Sequence, residues 1–195
     1  MNKNKKYNSS EINVFFSSDF HHSHVNIVKG TTVWPDTSSC RNFNSIQEMN
    51  QTIINGINNK VGENDILYNL GDWSFGHPSN IQYFRNQIIC KNIHLILGNH
   101  DKYIRKNKDD IQNIFSSVQN YAEIQIDNQR IILFHYPIVS WAGMKRETIH
   151  LFGHVHSKYQ GQGKSLDVGI DNYYKLFGTY EPFSYKEILK ITENK

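Results

Sequence analysis

Cysteine, proline and methionine are scarce: the chain has two, four and three of them in 195 residues. Cys40 and Cys90 stand far apart and share no paired spacing, so neither a disulfide framework nor a thiolate metal cluster is expected. Both are read as reduced thiols of an intracellular protein. Long apolar runs are also missing. The stretch from Ile12 to Phe16 is short and is interrupted by Asn13, and no apolar core follows the basic residues Lys3, Lys5 and Lys6. That excludes a signal peptide and a membrane-spanning segment from the reading, and places the protein in the cytoplasm. Charge of one sign is lacking too. A formal net charge of +3 is too small for the dense basic face of a nucleic-acid binder, so no stable nucleic-acid complex is expected.

What is present suffices for a globular core, because 38% of the residues are apolar and 13% aromatic. Residues 1–10 read as a polar tail, and residues 11–195 as a single domain without repeats or linkers. Ile12–Ser17, Ile66–Leu70, Asn92–Leu97, Tyr121–Ile126, Arg130–Phe134, Ile149–Phe152 and Leu166–Ile170 read as strands. Ser45 with Glu48, and Ser184 with Glu187, are spaced as helix-capping boxes. Ile46, Met49, Ile53 and Ile57 share one helical face and read as core. A short helix is expected over residues 78–87 and another over 102–117. Residues 29–44 form a long irregular segment, of the kind that often carries function. Early alternation of strands and helices, with strands dominating later, predicts a layered α/β sandwich.

Five of the apolar runs end in metal-ligand side chains. These ends are Ser18-Asp19-Phe20-His21, Gly71-Asp72, Gly98-Asn99-His100-Asp101, His135-Tyr136-Pro137 and Gly153-His154-Val155-His156. The carboxyl edge of an open α/β sheet is where binding groups gather. Asp19, His21, Asp72, Asn99, His135, His154 and His156 exceed the four donors that one zinc ion takes. They suit two divalent ions roughly 3.5–4 Å apart that share a carboxylate. Four cationic charges against two aspartates leave a positive cluster, which favours a phosphate and its in-line transition state. Mixed imidazole and carboxylate ligation is compatible with manganese first, and with iron, zinc, nickel, cobalt or magnesium. The leaving oxygen needs a proton donor. His100, beside Asn99, is the candidate, with Asp101 as a group that can fix its tautomer.

These five segments, in this order, resemble the five motifs of the calcineurin-like metallophosphoesterases: Asp-x-His, Gly-Asp, Gly-Asn-His-Asp, a lone His, and Gly-His-x-His. The Ser18–His24 turn and the His135-Tyr136-Pro137 segment followed by Trp141 resemble the small single-domain bacterial and phage members most. The resemblance implies a four-layer α/β/β/α sandwich of the metallophosphoesterase type. It implies one ion on Asp19, His21, Asp72 and His156, and a second on Asp72, Asn99, His135 and His154, with Asp72 as the bridge. It implies hydrolysis of a phosphate ester by a metal-bound hydroxide, with a lean to phosphodiesters such as small or cyclic nucleotides. A phosphomonoesterase, or a non-catalytic metal-binding scaffold of the same fold, remains open. One departure is His22, which stands where many members have glycine after Asp-x-His and reads as a pocket wall.

Outside the motifs, Asn99, His24 and Arg41 are candidate substrate contacts, Arg41 as a bidentate clamp on phosphate. Trp73, Phe75 and His77 read as core packing before base stacking. His94 and His150 lie within strands and read as structural. Asp167 and Asp171 read as turn or supporting groups, and the mixed charges from Arg105 to Asp110 as a solvated face.

Overall fold

The computed structural model describes residues 5–107, 111, 113–193 and 195. In chain order the elements are β1 (Lys5–Tyr7), β2 (Val14–Ser17), α1 (Ile46–Lys60), β3 (Ile66–Asn69), α2 (Ser79–Gln87), β4 (Asn92–Ile96), α3 (Lys102–Lys106) and β5 (Ser117–Gln119). There follow β6 (Tyr121–Ile126), β7 (Gln129–Phe134), β8 (Ile149–Phe152), β9 (Ser165–Asp167), α4 (Ile170–Phe177), β10 (Phe183–Ser184) and α5 (Tyr185–Thr192). The helix expected over 102–117 forms over Lys102–Lys106; Lys108, Asp109, Asp110 and Gln112 lie outside the described residues.

Two five-stranded sheets stack face to face, in the orders β10-β2-β3-β4-β5 and β1-β6-β7-β8-β9. In the first sheet β2, β3, β4 and β5 run parallel and β10 is antiparallel to β2. Parallel strands need both faces covered, and every residue of β2, β3 and β8 is buried. Side chains alternate between two cores. Val14, Phe16, Ile66 and Tyr68 turn inward, against Ile124, Ile131, Leu133, Ile149 and Leu151 of the second sheet. Phe15, Leu67, Ile93 and Leu95 turn outward, against Met49, Ile53 and Ile57 of α1 and Phe84 of α2. On the far side of the second sheet, His150 and Phe152 are covered by Trp141 and Tyr159 from the connecting segments. This is the mixed α/β sandwich expected of the motifs.

Several local expectations hold. Asp127 and Asn128 make the two-residue turn between β6 and β7, with Asp127 at φ 52°. Trp73 is fully buried among Phe20, Phe84 and Phe115. His94 stacks on Tyr68, and His150 packs against Trp141. Both cysteines are free. Among the described residues, no helix is long and apolar enough to cross a membrane.

Three expectations need correction. Lys5–Tyr7, counted with the polar tail, instead pair in parallel with Ile124–Ile126. A short, charged edge strand carries no apolar alternation that would reveal it. Leu166–Ile170 is not one strand: β9 stops at Asp167, and Gly169 starts α4, where Ile170 is already helical. At α1 the reciprocal half of the capping box shifts by one residue. The Ser45 hydroxyl accepts from the Glu48 amide, but the Glu48 carboxylate accepts from the Asn44 amide at 2.8 Å.

The box at α5 is complete, with Ser184 and Glu187 satisfying each other's backbone amides. Replacing Ser184→Ala is expected to lower the stability by about 1 kcal/mol, whereas Ile57→Ala in the outer core costs about 2–5 kcal/mol. Urea unfolding of the two variants checks that ranking.

Candidate metal centre

The site lies at the strand ends, where the connecting loops are tied to one another. The Asp19 amide donates to the Gly71 carbonyl, the His21 amide to Asp72, and the Gly153 amide to His135. Five of the seven expected ligands have left-handed backbone: Asp19 (φ 58°), His21 (48°), Asp72 (55°), His154 (70°) and His156 (46°). Such conformations are unfavourable for side chains that carry a Cβ, and they persist where surrounding contacts impose them. The turn glycines make room. A Cβ at Gly98 would stand 2.2 Å from Asp72 Oδ1, and one at Gly153 would stand 2.4 Å from Asp19 Oδ2.

Asp19, His21 and His156 converge, and so do Asp19, Asp72 and His135, each group with its candidate donor atoms within 4.8 Å of one another. Asp72 Oδ2 lies between two imidazoles, 3.7 Å from His21 Nε2 and 3.6 Å from His135 Nε2. Asp19 Oδ1 lies 3.8 Å from His21 Nε2 and 3.9 Å from His156 Nε2. The hydrogen bonds around these atoms decide what can fill the space between them. His135 Nδ1 donates to the Leu70 carbonyl at 2.7 Å, so its Nε2 offers a lone pair in the neutral ring. Asn99 Oδ1 faces that nitrogen at 3.0 Å. His156 Nδ1 is taken by Asp171 at 2.7 Å, which likewise leaves Nε2 as an acceptor. The other carboxylate oxygens are occupied by backbone amides: Asp19 Oδ2 by His154 and Asp72 Oδ1 by His100, each at 2.8 Å. Buried Asp19 Oδ1 has no hydrogen-bond partner. The Nε2 atoms of His135 and His156 thus face carboxylate oxygens across a buried gap, a donor set that fits divalent cations.

The electrostatics agree. Burial, then the neighbouring Asp19 and Asp101, push Asp72 up to about 8. Burial pushes His21 well below the usual imidazole range, with the Arg41 charge adding to it. A neutral His21 beside a carboxylate that resists ionising alone is what a cation would stabilise.

His154 is brought to the rim. Its side chain is exposed, and its ring centroid lies 5.2 Å from that of His135. His100 is also exposed, 5.4 Å from the His21 ring, and partial burial lowers its pKa. His24 is buried, stacked on Phe75 at 3.8 Å, with Nδ1 unpartnered. His22, read from the sequence as a pocket wall, is instead buried in the core, stacked on Phe84 at 4.4 Å.

Two expected roles are overturned. Arg41 is not open to a substrate phosphate. It is 4% exposed, and its guanidinium is spent on both oxygens of Asp171 and on the carbonyls of Asp19 and Phe20. Together Arg41 and Asp171 orient His156. Burial alone would raise the Asp171 pKa, but Arg41 and His156 hold it well below the carboxylate range. Asp101 does not set the His100 tautomer. Its Oδ2 accepts from the amides of Asp72 and Gly98, and its Oδ1 from that of Trp73, so it ties the two loops together. Asp167 does similar work for the last loop, accepting from Ser157 and Gly169. The sequence pointed to Asp167 and Asp171 as supporting groups but not to what they hold.

Residues 13–168 match a family profile described as the calcineurin-like phosphoesterase superfamily domain. A protein of Methanocaldococcus jannaschii described as "Uncharacterized protein MJ1445" is 26% identical over 189 residues, covering 92% of this chain and 91% of that protein. The crystal structure of AQ665 from Aquifex aeolicus, a protein of unknown function, superposes with a TM-score of 0.66 at 21% identity. That match covers 92% of this chain and 99% of the other.

Three outcomes follow from the site. Gly98→Ala is expected to abolish metal retention while the circular dichroism spectrum stays that of the folded protein. Arg41→Ala, which leaves Asp171 with His156 as its remaining partner, is expected to cost about 3–5 kcal/mol in urea unfolding. The third outcome is a pH optimum of stability. His22, His24, His94 and His150 are pushed down to about 4 by burial, so the unfolded chain binds protons that the folded chain refuses, and stability rises from about pH 4 to 6.5. Asp72 and Asp167 are pushed up to about 8 and about 7, so they oppose folding as pH climbs to those values. The metal-free protein should therefore melt highest near about pH 6.5 and lower at pH 8, with added manganese removing the alkaline decline. Thermal melts across pH, with and without the ion, read this directly.

Proposed function

The chain belongs to the calcineurin-like phosphoesterase superfamily, and from that membership and the facing acceptors of the site we propose that it hydrolyses a phosphate ester with two divalent ions, manganese first among them. The observation that carries this is the placement of Asp72 Oδ2 between His21 Nε2 and His135 Nε2, each under 4 Å away. In this reading Asp19, His21, Asp72 and His156 hold one ion, and Asp72, Asn99, His135 and His154 the other. Bound there, the ions supply Lewis acidity toward phosphoryl oxygens and lower the pKa of water.

The chain's own residues do the rest. Asp72 would be shared by the two ions, its carboxylate kept in place by the His100 amide on its second oxygen. Arg41 and Asp171 fix the tautomer and the angle of His156. Asn99 presents its amide to the phosphoryl group. His100 stands at the rim, free to carry a proton to the leaving oxygen. Two clefts, of about 470 and 400 Å³, are both lined by His100. A phosphodiester carries two organic groups on phosphorus, so two clefts beside one proton donor favour diesters over monoesters. The substrate is read as a small phosphorylated molecule handled in the cytoplasm, within one domain over residues 11–195 that β1 also joins.

The test is hydrolysis of bis-p-nitrophenyl phosphate and p-nitrophenyl phosphate by metal-stripped protein after each divalent metal is returned. Cleavage mainly of the diester is expected; none with any metal would sink the reading. His100→Asn is expected to keep its metals and lose about 10²–10⁴-fold in turnover, while Asp72→Asn loses the metals as well. Full activity in His100→Asn would remove the acid role.

A further inference from the structure

Of the imidazoles read as ligands, His21, His135 and His156 are fixed by the fold. His135 and His156 hold Nδ1 against the Leu70 carbonyl and Asp171, each at 2.7 Å. His21 has no partner for Nδ1, but it is 3% exposed and enclosed by the rings of His24, Phe75 and His156. A ligating imidazole is normally oriented by a hydrogen bond on its other nitrogen. His154 is different. Its backbone is anchored, with φ 70° and its amide on Asp19 Oδ2 at 2.8 Å. Its ring is exposed and lines the larger cleft, and among the described residues no hydrogen bond reaches it. An exposed side chain samples several staggered rotamers. Each one that turns the ring toward solvent takes a donor from the second ion.

What does touch that ring is aromatic. Tyr136 lies 4.7 Å from it between centroids, at 68°, and 4.9 Å from His135 at 78°. His135 in turn lies 5.2 Å from His154 at 63°. The three rings make a triangle of steeply inclined contacts, an arrangement that ring pairs prefer. Tyr136 is itself held, half-buried with Phe134 at 5.6 Å. Its phenol has no hydrogen-bond partner among the described residues, so the ring is the part that acts on His154.

We propose that Tyr136 is the positioning residue of His154. Its ring keeps the exposed imidazole turned to offer a nitrogen to the second ion. Tyr136 thereby sets the affinity of that ion, while the first depends on His21 and on His156 with its Asp171 and Arg41 backing. This rests on the two-ion reading of the donor set and adds what governs the second site.

Manganese titration of the metal-stripped protein, with the free ion counted by electron paramagnetic resonance, tests this apart from activity. Tyr136→Ala is expected to weaken the second ion about 10–100-fold. The first ion should stay within about 2-fold, and Tyr136→Phe, which keeps the ring, should leave both ions within that margin. In a His154→Ala background, Tyr136→Ala should add no more than about 2-fold, because its effect runs through that imidazole. Where Tyr136→Ala fails to fold, Tyr136→Leu fills the space without a flat ring and is expected to weaken the second ion likewise. Two ions that bind as before in Tyr136→Ala or Tyr136→Leu overturn the positioning role alone. So does a loss that persists in full without His154, or one that Tyr136→Phe shares. An unaltered chain that takes up no second ion removes the two-ion reading itself, and the effect on affinity with it.

Discussion

Two buried carboxylates, Asp19 and Asp72, are held within 4 Å of the Nε2 atoms of His21, His135 and His156. The remaining hydrogen bonds enforce that arrangement. The Leu70 carbonyl accepts the Nδ1 proton of His135, Asp171 accepts that of His156, and backbone amides fill the carboxylates' other oxygens. A protein that leaves such groups facing each other loses stability, because each has given up water without gaining a partner. A cation bound there would convert that cost into binding energy. The strained loop backbones have the same meaning: five left-handed ligand positions are maintained by the loop-to-loop amides and by Asp101 and Asp167.

The rest of the fold serves this edge. Parallel strands β2, β3 and β4 deliver Asp19, Asp72 and Asn99 to neighbouring positions, and β7 and β8 bring His135 and the last two histidines from the facing sheet. The seam between the sheets is therefore where the two donor groups meet. Packing on both faces keeps the strand ends rigid, which ligation requires, while the longer segments at 29–44 and 153–162 are left to shape the clefts. His100 belongs to the metal edge and to both clefts at once.

The cluster at the strand ends was legible in the sequence because each motif couples a strand pattern to a residue type that has little other reason to sit at a strand end. Long-range pairing was not legible. Arg41 looks like an anion clamp until Asp171, 130 residues away, is seen to occupy both of its arms. Asp101, adjacent to His100, invites a dyad, yet three backbone amides claim its carboxylate. The helix at Ile170–Phe177 was hidden because Val168-Gly169-Ile170 continues the apolar run of β9. The strands at Lys5–Tyr7 and Phe183–Ser184 are too short for any period to show.

In the proposed reading, the cluster at the strand ends calls for a pair of ions. Equilibrium dialysis of the metal-stripped chain against manganese counts them. Two ions per chain, with the second site lost when His135 is changed to Ala, is the result expected. A chain that saturates with none, or with a single ion indifferent to that change, would contradict it.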